Sequence, residues 1–241
     1  MMYEFQDRVR YSETDEDGDM KVVAMVNYLQ DCSTFHSTDV GLTVERLRAL
    51  QRAWLLSYWD IYIERLPRLC ERLVIGTSPH SFRGVIAHRN FWIRDAEGRD
   101  ILRADSQWFS FDTEKQRPVK ISEEVLLPFG ERRDVLGLPE SPRRITLPEK
   151  LERLSPVLVQ RHHIDSNHHV NNAQYIEMAA EALLRAFPEH RKWTGGRIRA
   201  EYQRAALLNA QIIPMLGRNE DGLVLSLQNE RGEVYANVEI R

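Results

Sequence analysis

The chain is short of cysteine, of long apolar runs and of charge of one sign. Only two cysteines occur, Cys32 and Cys70. Two make no disulfide framework and fit a reducing compartment. No apolar run approaches the roughly 20 residues of a membrane-spanning helix. The opening residues, Met1-Met2-Tyr3-Glu4-Phe5-Gln6-Asp7-Arg8, lack the charged and then apolar layout of a signal peptide. The formal net charge of −3 argues against bulk nucleic-acid binding, and no appended helix-turn-helix or basic arm reverses that. These absences point to a soluble cytoplasmic protein that partners neither nucleic acid nor membrane. What remains is ordinary globular material: 241 residues, 42% hydrophobic and 29% charged, enough for two small domains or one large one.

Residues 3–12 read as a strand entering an acidic turn, Glu13 to Asp19. A helix is expected from Val23 to about Val40, because Val26, Leu29, Cys32 or Ser33, and Phe35–His36 recur near helical spacing and Gly41 can stop it. The acidic turn resembles a calcium loop only superficially, since Ala24 stands where a closing Glu would be needed. Thr43 can open a short helix over 43–52. Segments 54–64, 72–78, 85–94 and 101–111 then read as strands, separated by turn signals that include Pro67 and Pro79. In the last of them Leu102, Ala104, Ser106 and Trp108 share one face. A helix followed by an antiparallel meander buries its apolar stripe on the sheet.

Residues 128–150 carry Pro128, Pro139, Pro142 and Pro148 and read as a linker or long crossing. The pattern then starts again: a strand at 157–159, a helix from about Asn172 to Phe187 before Pro188, and strands near 197–204, 210–216, 223–229 and 233–240. Ala173, Ile176, Ala180, Leu183, Leu184 and Phe187 form the expected buried side of that helix. The halves overlay with an offset of 150 (Val9 on Val159, Asp15 on Asp165), then 147 (Tyr28 on Tyr175), then 139 (Leu69 on Leu208). The chain therefore divides into an N-terminal domain at 1–127, a linker at 128–150 and a C-terminal domain at 151–241.

The stretch richest in chemistry is Asp165-Ser166-Asn167-His168-His169-Val170-Asn171-Asn172. Asp165, Asn167 and His169 alternate, so an extended backbone would point all three to one side. An imidazole can take a proton from water near neutral pH, and an amide can donate to a carbonyl or hold a water. The acid could orient the ring or act as base or nucleophile itself. Backbone N–H groups at the start of the following helix could form an oxyanion hole. The structural alternative is a turn made by Asp165 and Asn167 before a helix capped by Asn171 or Asn172. His162, His163, His168 and His169 lack the spacing and companion ligands of a metal site, and no metal or cofactor is expected.

The motif resembles the Asp-x-Asn-x-His-Val-Asn-Asn-x-x-Tyr signature of the acyl-acyl-carrier-protein thioesterases. Similar stretches cover the first half: Val9 to Asp15, Asn27 to Ser33, Trp54 to Trp59 and Arg94 to Gly98. The resemblance implies an α+β tandem (double) hotdog, two long helices each wrapped by an antiparallel sheet, in which the first half holds the acyl tail. It places Asp165, Asn167 and His169 as the catalytic acid, amide and imidazole. In the strand after the helix, the family's Glu-Tyr-x-Arg-Glu-Cys-like segment reads Glu201-Tyr202-Gln203-Arg204-Ala205-Ala206. Ala205 therefore replaces a carboxylate and Ala206 a cysteine. Glu201, four residues earlier and about 13 Å away at strand rise, and Glu181 on the long helix are the remaining acidic candidates.

Met25, Val26, Leu29 and Trp54 are expected to touch the acyl chain, whereas most other aromatics are read as core. Basic pairs Arg132-Arg133, Arg143-Arg144 and Arg191-Lys192 could meet an acidic carrier protein or simply be solvated surface. The resulting expectation is hydrolysis of acyl-acyl carrier protein, whose acyl chain is linked through phosphopantetheine, to free fatty acid. An acyl-CoA thioesterase of the same fold and a non-catalytic acyl-binding regulator are the rivals. The layout leaves both a self-sufficient chain and a homodimer open. No His-Phe-Pro-Gly-like stretch supports a hotdog dehydratase.

Overall fold

Apolar residues at every second position make strands, and those at helical spacing make the two long helices laid on them. The computed structural model describes residues 1–187, 195–220 and 222–241. Pro188 and the Arg191-Lys192 pair lie outside these. The chain forms two compact units, Met1–Ser57 with Ile63–Glu140, and Tyr58–Tyr62 with Ser141–Arg241.

In the first unit, β1 (Tyr3–Arg8) leads through a single 3-10 turn (Tyr11–Glu13) to α1 (Val22–Asp39) and then α2 (Val44–Ala49). The Thr43 hydroxyl accepts the Arg46 N–H and caps α2, as expected. Strands β2 (Arg52–Ile63, of which Tyr58–Tyr62 belongs to the second unit), β3 (Arg72–Arg83), β4 (Ile86–Arg94) and β5 (Asp100–Asp112) follow, with the two-residue β6 (Arg117–Pro118) and a short α3 (Glu123–Leu126). The antiparallel order is β1-β3-β4-β5, with β2 and β6 both beside β5. Helix α1 lies on β1 and β3 and buries Met25, Val26, Leu29, Cys32, Ser33 and His36. That is the stripe anticipated from spacing except at Phe35, which is exposed and meets the Phe5 ring edge-on. In β5, Leu102, Ala104 and Ser106 are buried on one face, again as the alternation requires.

Two features of this sheet were not foreseen. Pro79 does not end β3, which runs on to Arg83. The β3–β4 register shifts between Pro79 and Ser81, so a bulge absorbs the missing N–H and lets the strand continue. Gly76 makes room for the Trp92 indole, because a Cβ built there would lie 2.0 Å from the ring. The indole N–H is free to reach Glu4 Oε1 at 2.9 Å.

Beneath α1, the buried Arg89 donates from Nη1 to His36 Nδ1 at 3.0 Å and to Thr77 Oγ1 at 3.3 Å. Its guanidinium sits 5.2 Å from the Phe129 ring centroid. Burial, reinforced by the Arg89 charge, pushes the His36 imidazole down to about 4. His36 Nε2 is itself buried without a hydrogen-bond partner among the described residues.

The second unit begins with two-residue strands β7 (Glu152–Arg153) and β8 (Val157–Leu158) and a 3-10 turn (Arg161–His163). Helix α4 (Asn172–Ala186) leads to β9 (Gly196–Tyr202), β10 (Gln211–Arg218), β11 (Leu223–Gln228) and β12 (Val234–Ile240). The order is β9-β12-β11-β10-β7, with β8 also on β10. Helix α4 packs on β10, β11 and β12. Its buried face is Ala173, Tyr175, Ile176, Met178, Ala179 and Ala182, whereas Ala180, Leu183, Leu184 and Phe187 are only half-buried. The stripe is rotated from the expected one because Tyr175 turns inward to bond the backbone at Ala206.

Within this unit Arg197 forms a two-pronged pair with Asp60, both contacts at 2.7 Å. Arg199 donates to the Tyr58 hydroxyl at 2.7 Å, to Glu239 at 3.1 Å and to the Pro142 carbonyl. The segment from 130 to 151 contains no helix or strand, yet it is tied down at several points. Val135 N–H donates to Asn90 Oδ1, Ser78 Oγ donates to the Arg133 carbonyl, and Ile145 N–H donates to Glu201 Oε2.

The internal repeat is visible bond by bond. Asp15 N–H donates to Asp19 O as Asp165 N–H does to His169 O, and Lys21 N–H to Glu13 O as Asn171 N–H does to His163 O. Helices α1 and α4 begin at Val22 and Asn172, so the offset of 150 persists into the helix. The expected offset of 147 is therefore wrong, and Tyr175 is equivalent to Met25 rather than Tyr28. The offset of 139 holds for the return segment. Cys70 N–H donates to Val9 O and Asn209 N–H to Val159 O, and both Cys70 and Asn209 are left-handed, with φ of 66° and 67°.

Two outcomes follow from these contacts. Gly76→Ala is expected to destabilise the protein by about 1–3 kcal/mol through overpacking against Trp92; an unchanged urea midpoint would contradict it. For His36, a free imidazole titrates near 6.5, so as pH falls the unfolded chain takes up the proton first. The group's stabilising contribution is complete above about 6.5 and is lost on the way down to about 4, by up to about 3 kcal/mol. His36→Gln should flatten the stability–pH curve of the wild type over that window.

Candidate active site

The 164–170 segment is a tight turn, which corrects the extended reading. Ile164 and Val170 form an isolated antiparallel bridge that closes it. Inside, Asp165 N–H donates to His169 O at 2.9 Å and His168 N–H to Asp165 O at 3.0 Å. Asp165 Oδ1 accepts the Asn167 N–H at 2.8 Å, an Asx-type turn. His168 adopts φ of 64°, the left-handed conformation that Gly18 supplies in the first copy. A turn rather than a strand results because the short Asp side chain competes for backbone donors.

Tertiary contacts hold the turn in place. Val170 N–H donates to Ala206 O at 3.0 Å, and Asn171 N–H to His163 O at 2.9 Å. Ala206 N–H in turn donates to the buried Tyr175 hydroxyl at 2.8 Å. The Tyr202 hydroxyl donates to Asn172 O at 2.9 Å, next to the helix start. Burial pushes the Tyr175 phenol up to about 12 and raises that of Tyr202 well above its ordinary value, so both remain neutral donors and acceptors. His163 Nδ1 accepts the Gln160 N–H, and burial beside His162 lowers its pKa.

Asn167 and His169 are exposed and Asp165 is half-buried, so the turn opens to solvent. Asn171 caps α4, its Oδ1 accepting the Ala173 N–H at 2.9 Å while its carbonyl accepts the Gln174 N–H. Two N–H groups expected to form an oxyanion hole are thereby committed to the cap. The Asn167 side chain, exposed on the same turn, is the amide donor that remains within it.

The other acidic candidates stand differently. Glu201 is buried and accepts from Ile145 N–H at 3.1 Å and Asn237 Nδ2 at 3.4 Å, so it anchors the crossing segment. Strand β9 also ends at Tyr202, so the simple strand extrapolation from Glu201 to Ala205 fails. Glu181 is exposed and pairs with Arg185 at 3.8 Å, one turn along α4. Ala205 is exposed and Ala206 buried, directly beside the turn through the Val170–Ala206 bond.

Met25, Val26 and Leu29 are fully buried in the first unit, whereas Trp54 is half-buried against the Leu42, Ala87 and Phe129 cluster. Trp59, Phe91 and Trp92 are core, as read. A shallow cleft of about 400 Å³ lies at the 3-10 turn that precedes this segment, lined by Leu158, Val159, Arg161, His162 and Leu208 among others. Leu158, Leu207 and Leu208 expose 50%, 56% and 39% of their surface, an apolar rim that sequence spacing did not reveal. Its sequence signal is the Leu207-Leu208 pair between Ala205-Ala206 and Asn209.

Residues 1–129 match the profile of the acyl-ACP thioesterase N-terminal domain, and residues 149–241 match that of its C-terminal domain. The chain belongs to the acyl-ACP thioesterase family. A chloroplastic dodecanoyl-[acyl-carrier-protein] hydrolase of Cinnamomum camphora is 25% identical over 93% of this chain. The chain spans 63% of that relative's length. Among solved structures, a Lactobacillus plantarum chain described as an oleoyl thioesterase superposes with a TM-score of 0.85 at 25% identity, covering 99% of this chain and 94% of its own. An acyl-ACP thioesterase from Bacteroides thetaiotaomicron gives 0.85 at 21% identity over 99% and 96%. The 12:0-ACP thioesterase of Umbellularia californica gives 0.80 at 17% over 98% and 95%. The tandem hotdog expected from sequence is the fold of this family member.

Tyr175→Phe should test the support of the turn. It leaves the buried Ala206 N–H without its acceptor, at a cost of about 1–3 kcal/mol. The expected readout is a lowered melting temperature together with faster amide exchange at Ala206 and Val170. Unaltered exchange at both amides would show that the hydroxyl does not hold the segment.

Proposed function

We propose that the protein hydrolyses the thioester of acyl-acyl carrier protein in the cytoplasm, releasing free fatty acid and the carrier's phosphopantetheine thiol. The observation that carries this reading is the solvent-open turn with Asp165, Asn167 and His169 at the head of α4 in a family member. In the proposed reaction His169 takes a proton from water as its oxygen attacks the thioester carbonyl carbon. Asn167 donates its amide hydrogen to the developing oxyanion. Collapse of the tetrahedral intermediate breaks the C–S bond, and the departing sulfur receives the proton that His169 took from water. Asp165 positions the turn through its Oδ1, which accepts the Asn167 N–H. With Ala205 in place of a carboxylate, His169 carries the task of activating water.

Charge complementarity supports a carrier-protein substrate. Arg132, Arg133, Arg143 and Arg144 are exposed, and an acidic carrier would find them accessible.

His169→Ala should lower kcat on acyl-acyl carrier protein by about 100- to 10,000-fold. Asp165→Asn retains an oxygen to accept the Asn167 N–H, so a large loss there would reflect charge rather than collapse of the turn. Both variants should melt close to the wild type. Wild-type turnover by folded His169→Ala would sink the assignment of the base. Faster turnover of the same acyl group on CoA than on the carrier protein would instead identify an acyl-CoA thioesterase.

A further inference from the structure

Three neighbouring strands of the first unit bring together side chains that thioester hydrolysis does not use. His80 is on β3, His88 on β4 and Asp105 on β5. His80 Nε2 lies 2.7 Å from Asp105 Oδ1, and His88 Nδ1 lies 3.3 Å from Asp105 Oδ2. The three ligand-type atoms all lie within 4.8 Å of one another.

The convergence is built by the backbone. In the β3–β4 register Pro79 pairs with Arg89 and Ser81 with His88, which leaves His80 as the extra residue of the bulge. A bulge re-aims the side chain it carries. Here it sends the His80 ring across β4 to a carboxylate two strands away. Asp105 pairs directly with Asn90, whose Nδ2 donates to Asp105 Oδ1 at 3.2 Å. Asn90 is held in turn by the Val135 N–H on its Oδ1 at 3.0 Å. The carboxylate is thus oriented from behind by a fixed amide, the outer-shell arrangement that metal ligands commonly have. Although burial opposes it, hydrogen bonds from His80 and His88 hold the Asp105 carboxyl below its usual range, so it is anionic.

We propose that His80, His88 and Asp105 form a binding site for a divalent first-row transition ion of the zinc class. Two imidazole nitrogens and one carboxylate suit Zn²⁺ or Co²⁺, whereas Mg²⁺ and Ca²⁺ prefer all-oxygen sets. Ligand atoms around a tetrahedral zinc stand about 3.3 Å apart. The two contacts run to different carboxylate oxygens, Oδ1 for His80 and Oδ2 for His88, and the three ligand-type atoms span no more than 4.8 Å, so small side-chain rotations must bring both nitrogens and one oxygen to that spacing. The His88 side chain is 34% exposed, so solvent can reach the fourth position. The ion replaces a proton on each facing nitrogen, and binding therefore weakens as pH falls. Bound there, it would tie three strands together.

The test uses the tag-free, chelator-stripped full chain titrated with Co²⁺ and Zn²⁺. Bound metal is read by elemental analysis, Co²⁺ by its visible absorption, and stability by melting temperature. We expect one equivalent bound with a raised melting temperature. His80→Ala/His88→Ala, and the more conservative His88→Ala alone, should bind at least about 100-fold more weakly, and Asn90→Ala about 10- to 100-fold more weakly. His162→Ala/His163→Ala should bind like the wild type. No uptake at tens of micromolar metal would overturn the proposal. So would uptake undiminished in a folded His88→Ala variant.

Discussion

A short set of backbone hydrogen bonds between the turn before each long helix and the segment that returns beside it underlies both units. In the second, Val159 exchanges bonds with Asn209 and Ala210 while Val170 donates to Ala206. In the first, Val9 does the same with Cys70 and Glu71, and Met20 donates to Pro67. Val9, Met20, Val159 and Val170 are all buried, and a buried N–H without a partner is costly. The return segments are therefore held where they are whatever side chains they carry. That freedom is what lets one copy of the turn differ chemically from the other.

The difference is local and electrostatic. At the tip of the first turn stands Asp19, which accepts from Arg68 Nε at 3.1 Å. The equivalent positions in the second copy are His169 and Leu207, both exposed. One turn is closed by an ion pair; the other presents an imidazole and an amide to solvent beside an apolar rim. Leu158 and Leu208 extend that rim along the adjoining cleft. Tyr175 supports the open turn from inside, and Met25 occupies the equivalent position of the first helix. The site is thus made by substituting side chains on a repeated frame, with no change of backbone path.

Much of this was legible in the chain itself. The two long helices, the strands of both meanders and the Thr43 cap stand close to their expected places, since each rests on local periodicity or a single capping side chain. Three of the departures share one cause. Pro79 reads as a strand end until a bulge takes it in, and Ala180, Leu183, Leu184 and Phe187 read as buried until Tyr175 turns α4 inward. Asp165, Asn167 and His169 read as one face of a strand until the Asp165 carboxylate captures a backbone donor. In each case a contact made by one side chain or one bulge overrode a local sequence signal. His80, His88 and Asp105 escaped notice because their separations, 8 and 17 residues, follow no motif and meet only through strand pairing.

By itself the sequence determined the order of elements, the tandem repeat and the family, because these follow from hydrophobic period and from a motif written contiguously. It also determined that Ala205 and Ala206 carry no acid or thiol. Tertiary structure decided which groups are free to act. It committed the α4 N–H groups at Ala173 and Gln174 to the Asn171 cap, and Glu201 to Ile145 and Asn237. It left Asn167 and His169 open to water. Hydrogen-bonding capacity is a property of each residue, but its availability depends on partners that lie far away along the chain.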